Sequence, residues 1–245
     1  MVQVGRAYGL EINADKTITM TVRGESDILG TDGTPLKRKG EAIYLGGLLD
    51  VSGRPAAEVS RRIGEARQTF FKLEAVWKHA NIKKSHKKRI FDACVVAKLM
   101  YGLESVWLLQ ADRSKLDAFY ASCLRKVLGI AHSYYSRVSN AHVLGQLAAT
   151  PLSRQLLARQ LHLFGKICRR PGDDLCRQVA FENGSVEPRA WNTKRRVGRP
   201  CLRWIRCVHA HALMIVDGSS DRLQNLIYSL SQDAWRQYVN SQLVR

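Results

Sequence analysis

Apolar and polar positions follow two different periods along this chain, and the change falls near Gly53. Before it, Thr17 to Arg23 (TITMTVR) is β-branched at alternate positions, Asp32-Gly33 is a turn signal, and Ala42 to Leu49 (AIYLGGLL) is a second apolar run. Period-two alternation bounded by turn residues predicts strands, here a small antiparallel hairpin or meander. After Gly53, the residues Val59, Ile63, Ala66, Phe70, Leu73 and Trp77 recur at alternating spacings of four and three, which puts all six on one helical face. Glu58/Arg62 and Glu74/Lys78 sit four apart with the acid first, an order that supports a helix.

A second helix is expected from Ser85 to about Leu109, with Ile90, Phe91, Val95, Leu99, Val106 and Trp107 making more than one side apolar. A third is expected from Asp112 as N-cap to Val127, with Gly129 as its stop. Ser139 opens a short helix, and Thr150-Pro151 opens a longer one whose stripe is Leu152, Leu156, Leu161, Phe164 and Ile167. Residues 182–200, with two prolines, two glycines and a basic run, read as a linker to two last helices around Leu202–Met214 and Leu223–Val244. The expected fold is mainly α with a small N-terminal β hairpin or meander, an α+β chain in three stretches: 1–53, 54–181 and 182–245.

Composition adds a partner. With 45% hydrophobic and 24% charged residues the chain has an ordinary globular profile rather than that of a disordered one. No apolar run approaches a membrane span and the start has no signal-peptide pattern, which predicts an intracellular protein, nuclear or cytoplasmic, with no membrane partner. The six cysteines have no close pairing, so reduced thiols are expected. The net charge of +18 implies a polyanion as partner, nucleic acid before others. The charge is uneven, because residues 1–50 carry six basic and seven acidic side chains whereas 51–110 carry twelve and five.

Two segments concentrate that charge. Lys83-Lys84-Ser85-His86-Lys87-Lys88-Arg89 carries five permanent cations at the expected start of a helix, where they oppose the macrodipole; a phosphate backbone would account for them, and a solvated basic turn is the alternative. Lys194-Arg195-Arg196-Val197-Gly198-Arg199-Pro200, followed by Arg203-Trp204, suits an extended arm in a minor groove, a basic linker or an import signal equally well. Cys201, Cys207, His209 and His211 lie close together but not at a zinc spacing. Asp173-Asp174, the adjacent acidic pair, reads as a helix cap at Asp173 rather than a two-metal site. No phosphate loop, dinucleotide fingerprint or nucleophile elbow occurs.

Taken in order, several blocks resemble a known family. Gly9-Leu10-Glu11-Ile12-Asn13-Ala14-Asp15-Lys16-Thr17 resembles motif D of LINE-type non-LTR retrotransposon reverse transcriptases, and Tyr44-Leu45-Gly46 resembles their motif E. Arg62-Ile63, Ala66-Arg67, Leu73, Trp77, Lys88-Arg89-Ile90-Phe91 and Tyr101-Gly102-Leu103-Glu104-Ser105-Val106-Trp107 follow the family's thumb region, with one extra residue before Trp107. Cys123 to Ile130 is similar to the next block, and Gly198-Arg199-Pro200 with Arg203-Trp204 to a downstream one. Phe164-Gly165-Lys166-Ile167 departs from the family pattern by lacking its His.

The resemblance implies a palm remnant at 1–53 and a helical thumb from Pro55 to Val127. In that family the palm holds Mg²⁺ on aspartates, two of them in a Y/F-x-D-D hairpin before motif D. This sequence starts after that point and contains no such motif, so the fragment is expected to need no cofactor and to be inactive alone. Lys16 is then the motif D lysine, and Tyr44, Leu45 and Gly46 set the primer end. An RNA or DNA template–primer is tracked by Lys83, Lys84, Lys87, Lys88 and Arg89, with Arg195, Arg196, Arg199 and Arg203 as further contacts. A stand-alone helical nucleic-acid-binding protein that uses the Gly198-Arg199-Pro200 arm is the competing reading.

Overall fold

Strands occupy the N-terminal part and helices the rest, in a computed structural model that describes residues 5, 7–13, 16–21, 27–30, 33–79, 81–190 and 203–244. The architecture is mainly α with a small antiparallel β hairpin, as the periodicities predict. The chain divides into two compact units, Met1–Arg61 and Arg62–Arg245.

In the first unit, β1 (Ile18–Thr19) pairs in parallel with β2 (Lys37–Arg38), and β3 (Glu41–Tyr44) pairs antiparallel with β4 (Gly47–Asp50). The apolar run Ala42–Leu49 is therefore a complete hairpin by itself. It turns because Leu45 and Gly46 both adopt positive φ, 47° and 80°, as a tight two-residue turn between twisted strands requires. The expected first strand is short: only Ile18–Thr19 is extended, and 22–26 lie outside the described residues. Asp32 of the expected turn also lies outside them.

Helix α1 (Ala56–Lys72) begins in the first unit and carries the predicted apolar face. It stops at Leu73, and a separate short helix α2 (Glu74–Lys78) brings in Trp77. The second unit is built from two neighbouring cores. In one, Phe70 stacks on Trp77 with ring centroids 5.1 Å apart, Phe91 meets Phe70 edge-on at 5.8 Å, and Tyr120 stacks on Phe91 at 5.7 Å. These large rings supply area and directional contacts together. Phe91 ends α3 (Lys84–Phe91), which continues through a π turn at Asp92–Val96 into α4 (Ala97–Met100). The helix expected to reach Leu109 ends at Met100 because Gly102 takes φ 75° and a 3₁₀ turn follows at Leu103–Ser105.

Helix α5 (Gln110–Leu128) starts ahead of the expected cap. Asp112 lies inside its first turn, buried and paired with Lys115 at 3.1 Å, while Gly129 ends the helix in the left-handed conformation, as predicted. After α6 (Ser133–Ser136), Ser139 caps α7 (Asn140–Gly145) by accepting from the His142 amide. Helix α8 (Leu152–Cys168) starts against α5, where the Asp117 carboxylate accepts from the Ser153 amide at 2.9 Å and from its hydroxyl at 2.6 Å. Asp174, rather than Asp173, caps α9 (Leu175–Ala180).

The second core forms where α10 (Trp204–Met214), α11 (Ser220–Ser229) and α12 (Gln232–Val244) pack around α8. The last expected helix is two, broken at Ser231, whose hydroxyl accepts from the Ala234 amide. Trp235 is fully buried and donates from Nε1 to the Leu161 carbonyl at 3.0 Å. That approach depends on Gly165, where a Cβ would lie 2.4 Å from Trp235 Nε1. The expected linker is partly in this core: Val186 is fully buried and Phe181 bridges to Pro188, while 191–202 lie outside the described residues.

Candidate nucleic-acid interface

Local chemistry positions several of the predicted contacts among the described residues. The spacing from Asn13 to Lys16 and Thr17 makes a closed turn: Asn13 Oδ1 accepts from the Lys16 amide at 3.0 Å and the Asn13 carbonyl accepts from Thr17 Oγ1 at 2.7 Å. Lys16 itself is exposed at the entrance of β1. Tyr44 and Leu45 are exposed at the hairpin tip. Their turn is held from α1, since Glu58 Oε2 accepts from the Leu48 amide at 3.0 Å and Arg61 donates to the Gly46 carbonyl at 2.8 Å. Glu58 and Arg61 grip one another through two parallel bonds of 2.7 and 2.8 Å, the fork geometry that fixes orientation as well as distance. This pair is not among the residues expected from sequence, although its three-residue spacing on α1 was a signal for it.

The lysine cluster separates into inward and outward side chains. Lys87 is 8% exposed and donates from Nζ to the Trp77 carbonyl at 2.7 Å. It thus sits at the C-terminal end of α2, where a cation and a free carbonyl suit each other. Lys88 pairs with Asp92 one turn on and lies over the Tyr120 ring, 5.7 Å from its centroid. These two explain part of the charge that opposes the macrodipole at this helix start. Lys83, Lys84 and Arg89 remain exposed, with His86 beside them. Ile82, His86, Arg89, Ile90, Ala93 and Cys94 line an open apolar groove of about 570 Å³ on the same helix.

Of the basic arm, Arg195, Arg196 and Arg199 lie outside the described residues, as does Cys201. Arg203 is half-buried at the cap position of α10. Trp204, next in the motif, donates from Nε1 to the Glu104 carbonyl at 2.8 Å, so two blocks of the resemblance meet in space.

Two exposed aromatics were not singled out from sequence. Tyr134 and Tyr135, 67% and 78% exposed, stand edge-on with centroids 5.2 Å apart, and the Arg137 guanidinium lies 5.4 Å from the Tyr134 ring centre. Adjacent exposed tyrosines beside an arginine offer flat faces on which unpaired bases can stack. The doubled Tyr flanked by His132 and Arg137 was the available signal.

Among the described residues no three His, Cys, Asp or Glu converge as metal ligands. Asp174 caps α9 and pairs with Arg170, and His209 is buried near Glu187, with Nε2 3.7 Å from its carboxylate. The thiols of Cys123 and Cys168 are pushed up to about 12 by burial, which keeps them protonated and inert. No described helix is long and apolar enough to cross a membrane.

No protein-family model matches the chain, and no solved structure matches it. An uncharacterized Caenorhabditis elegans protein named as transposon-derived is 28% identical over 214 residues, covering 83% of this chain and 73% of its own length.

Proposed function

We propose that this chain derives from a transposable element, and more narrowly that it is the motif D and E, thumb and downstream portion of a non-LTR retrotransposon reverse transcriptase, serving to hold an RNA or DNA template–primer. The observation that carries the reading is the unbroken order of motif-like blocks from Gly9 to Trp204, supported by a transposon-derived relative that spans most of the chain. The exposed hairpin tip at Tyr44-Leu45 and the outward cations Lys83, Lys84 and Arg89 suit the parts of such an enzyme that touch substrate. Chemistry is not proposed for this chain by itself, because the acidic pair that would carry Mg²⁺ is absent from its sequence.

Salt dependence tests the reading. Fluorescence anisotropy with an RNA–DNA template–primer between about 50 and 200 mM salt should show affinity falling steeply, as counterion release requires. The triple variant K83Q/K84Q/R89Q should lower the log–log slope by about 2 to 3, close to one for each phosphate that is no longer neutralised. Affinity that ignores salt would defeat the proposal. An unchanged slope in the variant would place the phosphates on another surface.

A further inference from the structure

We infer that the open pocket bordered by α8, α12 and the 3₁₀ turn at Leu103–Ser105 is a phosphomonoester site, able to take the terminal phosphate of a nucleic-acid strand or of a free nucleotide. Its walls are Glu104, Arg159, His162, Lys166, Gln232 and Arg236, around about 290 Å³. Glu104 and Lys166 fall within two of the motif-like blocks, but none of these side chains is assigned a template–primer contact, so the two readings are tested separately.

Spacing explains the site. Arg159, His162 and Lys166 follow one another at three and four residues along α8, which aligns them on one face. Gln232 and Arg236 do the same across the facing helix α12, and Gln232 is held in place by the Arg169 guanidinium at 3.2 Å. Three cations thus border a space that offers them little return: Arg236 meets only the exposed Asp233, at 3.2 Å, and neither Arg159 nor Lys166 has an ion pair among the described residues. The field they create is registered by His162. Burial, and then the Arg236 charge, hold its imidazole below its ordinary value, against opposition from hydrogen bonds with the Arg236 backbone and Asn240, with the Arg159 charge adding a smaller push in the same direction as burial. His162 Nε2 is buried without a hydrogen-bond partner.

Glu104 refines the ligand class. Its Oε2 is likewise buried without a partner, an acceptor lining a pocket that is otherwise cationic. A doubly charged sulfate has no proton to give such a carboxylate. A phosphomonoester titrates near pH 6, so at that pH half of it carries a P–OH that can donate to Glu104 while its other oxygens accept from Arg159, Lys166 and Arg236.

The test follows the His162 ring resonances by NMR at pH 6 in the full chain, titrated with inorganic phosphate, with sulfate, with a 5′-mononucleotide, and with one oligonucleotide bearing either a 5′-phosphate or a 5′-hydroxyl. Phosphate should shift the His162 signal and raise its titration midpoint, because a bound anion reverses the local field. It should bind about tenfold more tightly than sulfate, a preference that E104Q should abolish. The exposed-site variant R159Q/K166Q/R236Q should remove the response without unfolding the protein. A 5′-phosphate preference between the two oligonucleotides identifies a strand end as the ligand, and a tighter mononucleotide identifies a free nucleotide. Equal response to phosphate and sulfate, or none to phosphate, would overturn the inference.

Discussion

The hairpin region and the helical region are held together by different forces. Among the described residues of 1–61 only Glu58 and Val59 are buried, and Tyr8, Leu10, Ile12, Ile43, Tyr44 and Leu45 are exposed. The helical region instead encloses Phe70, Phe91, Tyr120, Phe164 and Trp235 in close-packed rings. One part is fixed by a few directed hydrogen bonds, the other by volume. They should therefore fail under different substitutions.

The largest effect should come from filling the notch in the helical core. Gly165→Ala puts a methyl group 2.4 Å from Trp235 Nε1 and 2.6 Å from Cδ1, and such overpacking should cost about 3 kcal/mol in urea unfolding. Gly64→Ala is the matching control: nothing lies within 4 Å of the added carbon in α1, so it should stabilise by about 0.5 to 1 kcal/mol. Equal effects at both positions would show that packing does not dominate this region.

Next comes the hairpin's polar hook. Glu58→Ala removes both Arg61 bonds and the acceptor of the Leu48 amide, with an expected loss of about 1 to 3 kcal/mol. Hydrogen exchange should report it, as faster exchange of the Leu48 amide. An unchanged rate would mean that strand pairing alone secures the turn.

Within the lysine cluster, Lys87→Gln should lower stability by about 1.5 kcal/mol through removal of its bond to the Trp77 carbonyl while leaving the salt slope of nucleic-acid binding unaltered. Lys84→Gln should do the reverse, changing stability by less than about 0.5 kcal/mol and the slope by about one. Identical behaviour of the two variants would erase the division between inward and outward cations.

The smallest effect is a pH dependence. Burial holds the His209 imidazole below its ordinary value, with Glu187 opposing, and His162 is shifted the same way. The folded state then binds protons less readily than the unfolded chain. Stability should be full above the unfolded value of about 6.5 and fall as pH drops below it. Urea midpoints at pH 7.5, 6.5 and 5.5 would measure the fall, and His209→Asn should reduce it to the share that His162 contributes.

Features set by neighbouring residues were legible in the sequence: Gly129 as a stop, Ser139 as a cap, the stripe of α8 and the switch of period at Gly53. The turn at Leu45-Gly46 was legible only through the motif E likeness of Tyr44-Leu45-Gly46, because a leucine at positive φ gives no turn signal inside an apolar run. Nor was the break at Leu73, which keeps the helical spacing intact across it. In the candidate site, the outward cations and the hairpin tip could be named in advance. The inward role of Lys87 could not, since it depends on a carbonyl ten residues back that only folding brings near. The phosphate pocket was hidden for the same reason, as Glu104, Arg159 and Arg236 are far apart in the chain.

The π turn at Asp92–Val96 has a mechanical meaning. Accommodating one residue more than an α turn rotates everything beyond it by about 100°, so the helix leaves Phe91 facing one set of neighbours and delivers Leu99 and Met100 to another. Winding the same residues at a regular α pitch would turn Leu99 and Met100 away from those neighbours, whereas removing one residue from the segment would restore the α pitch and leave the second half facing as it does.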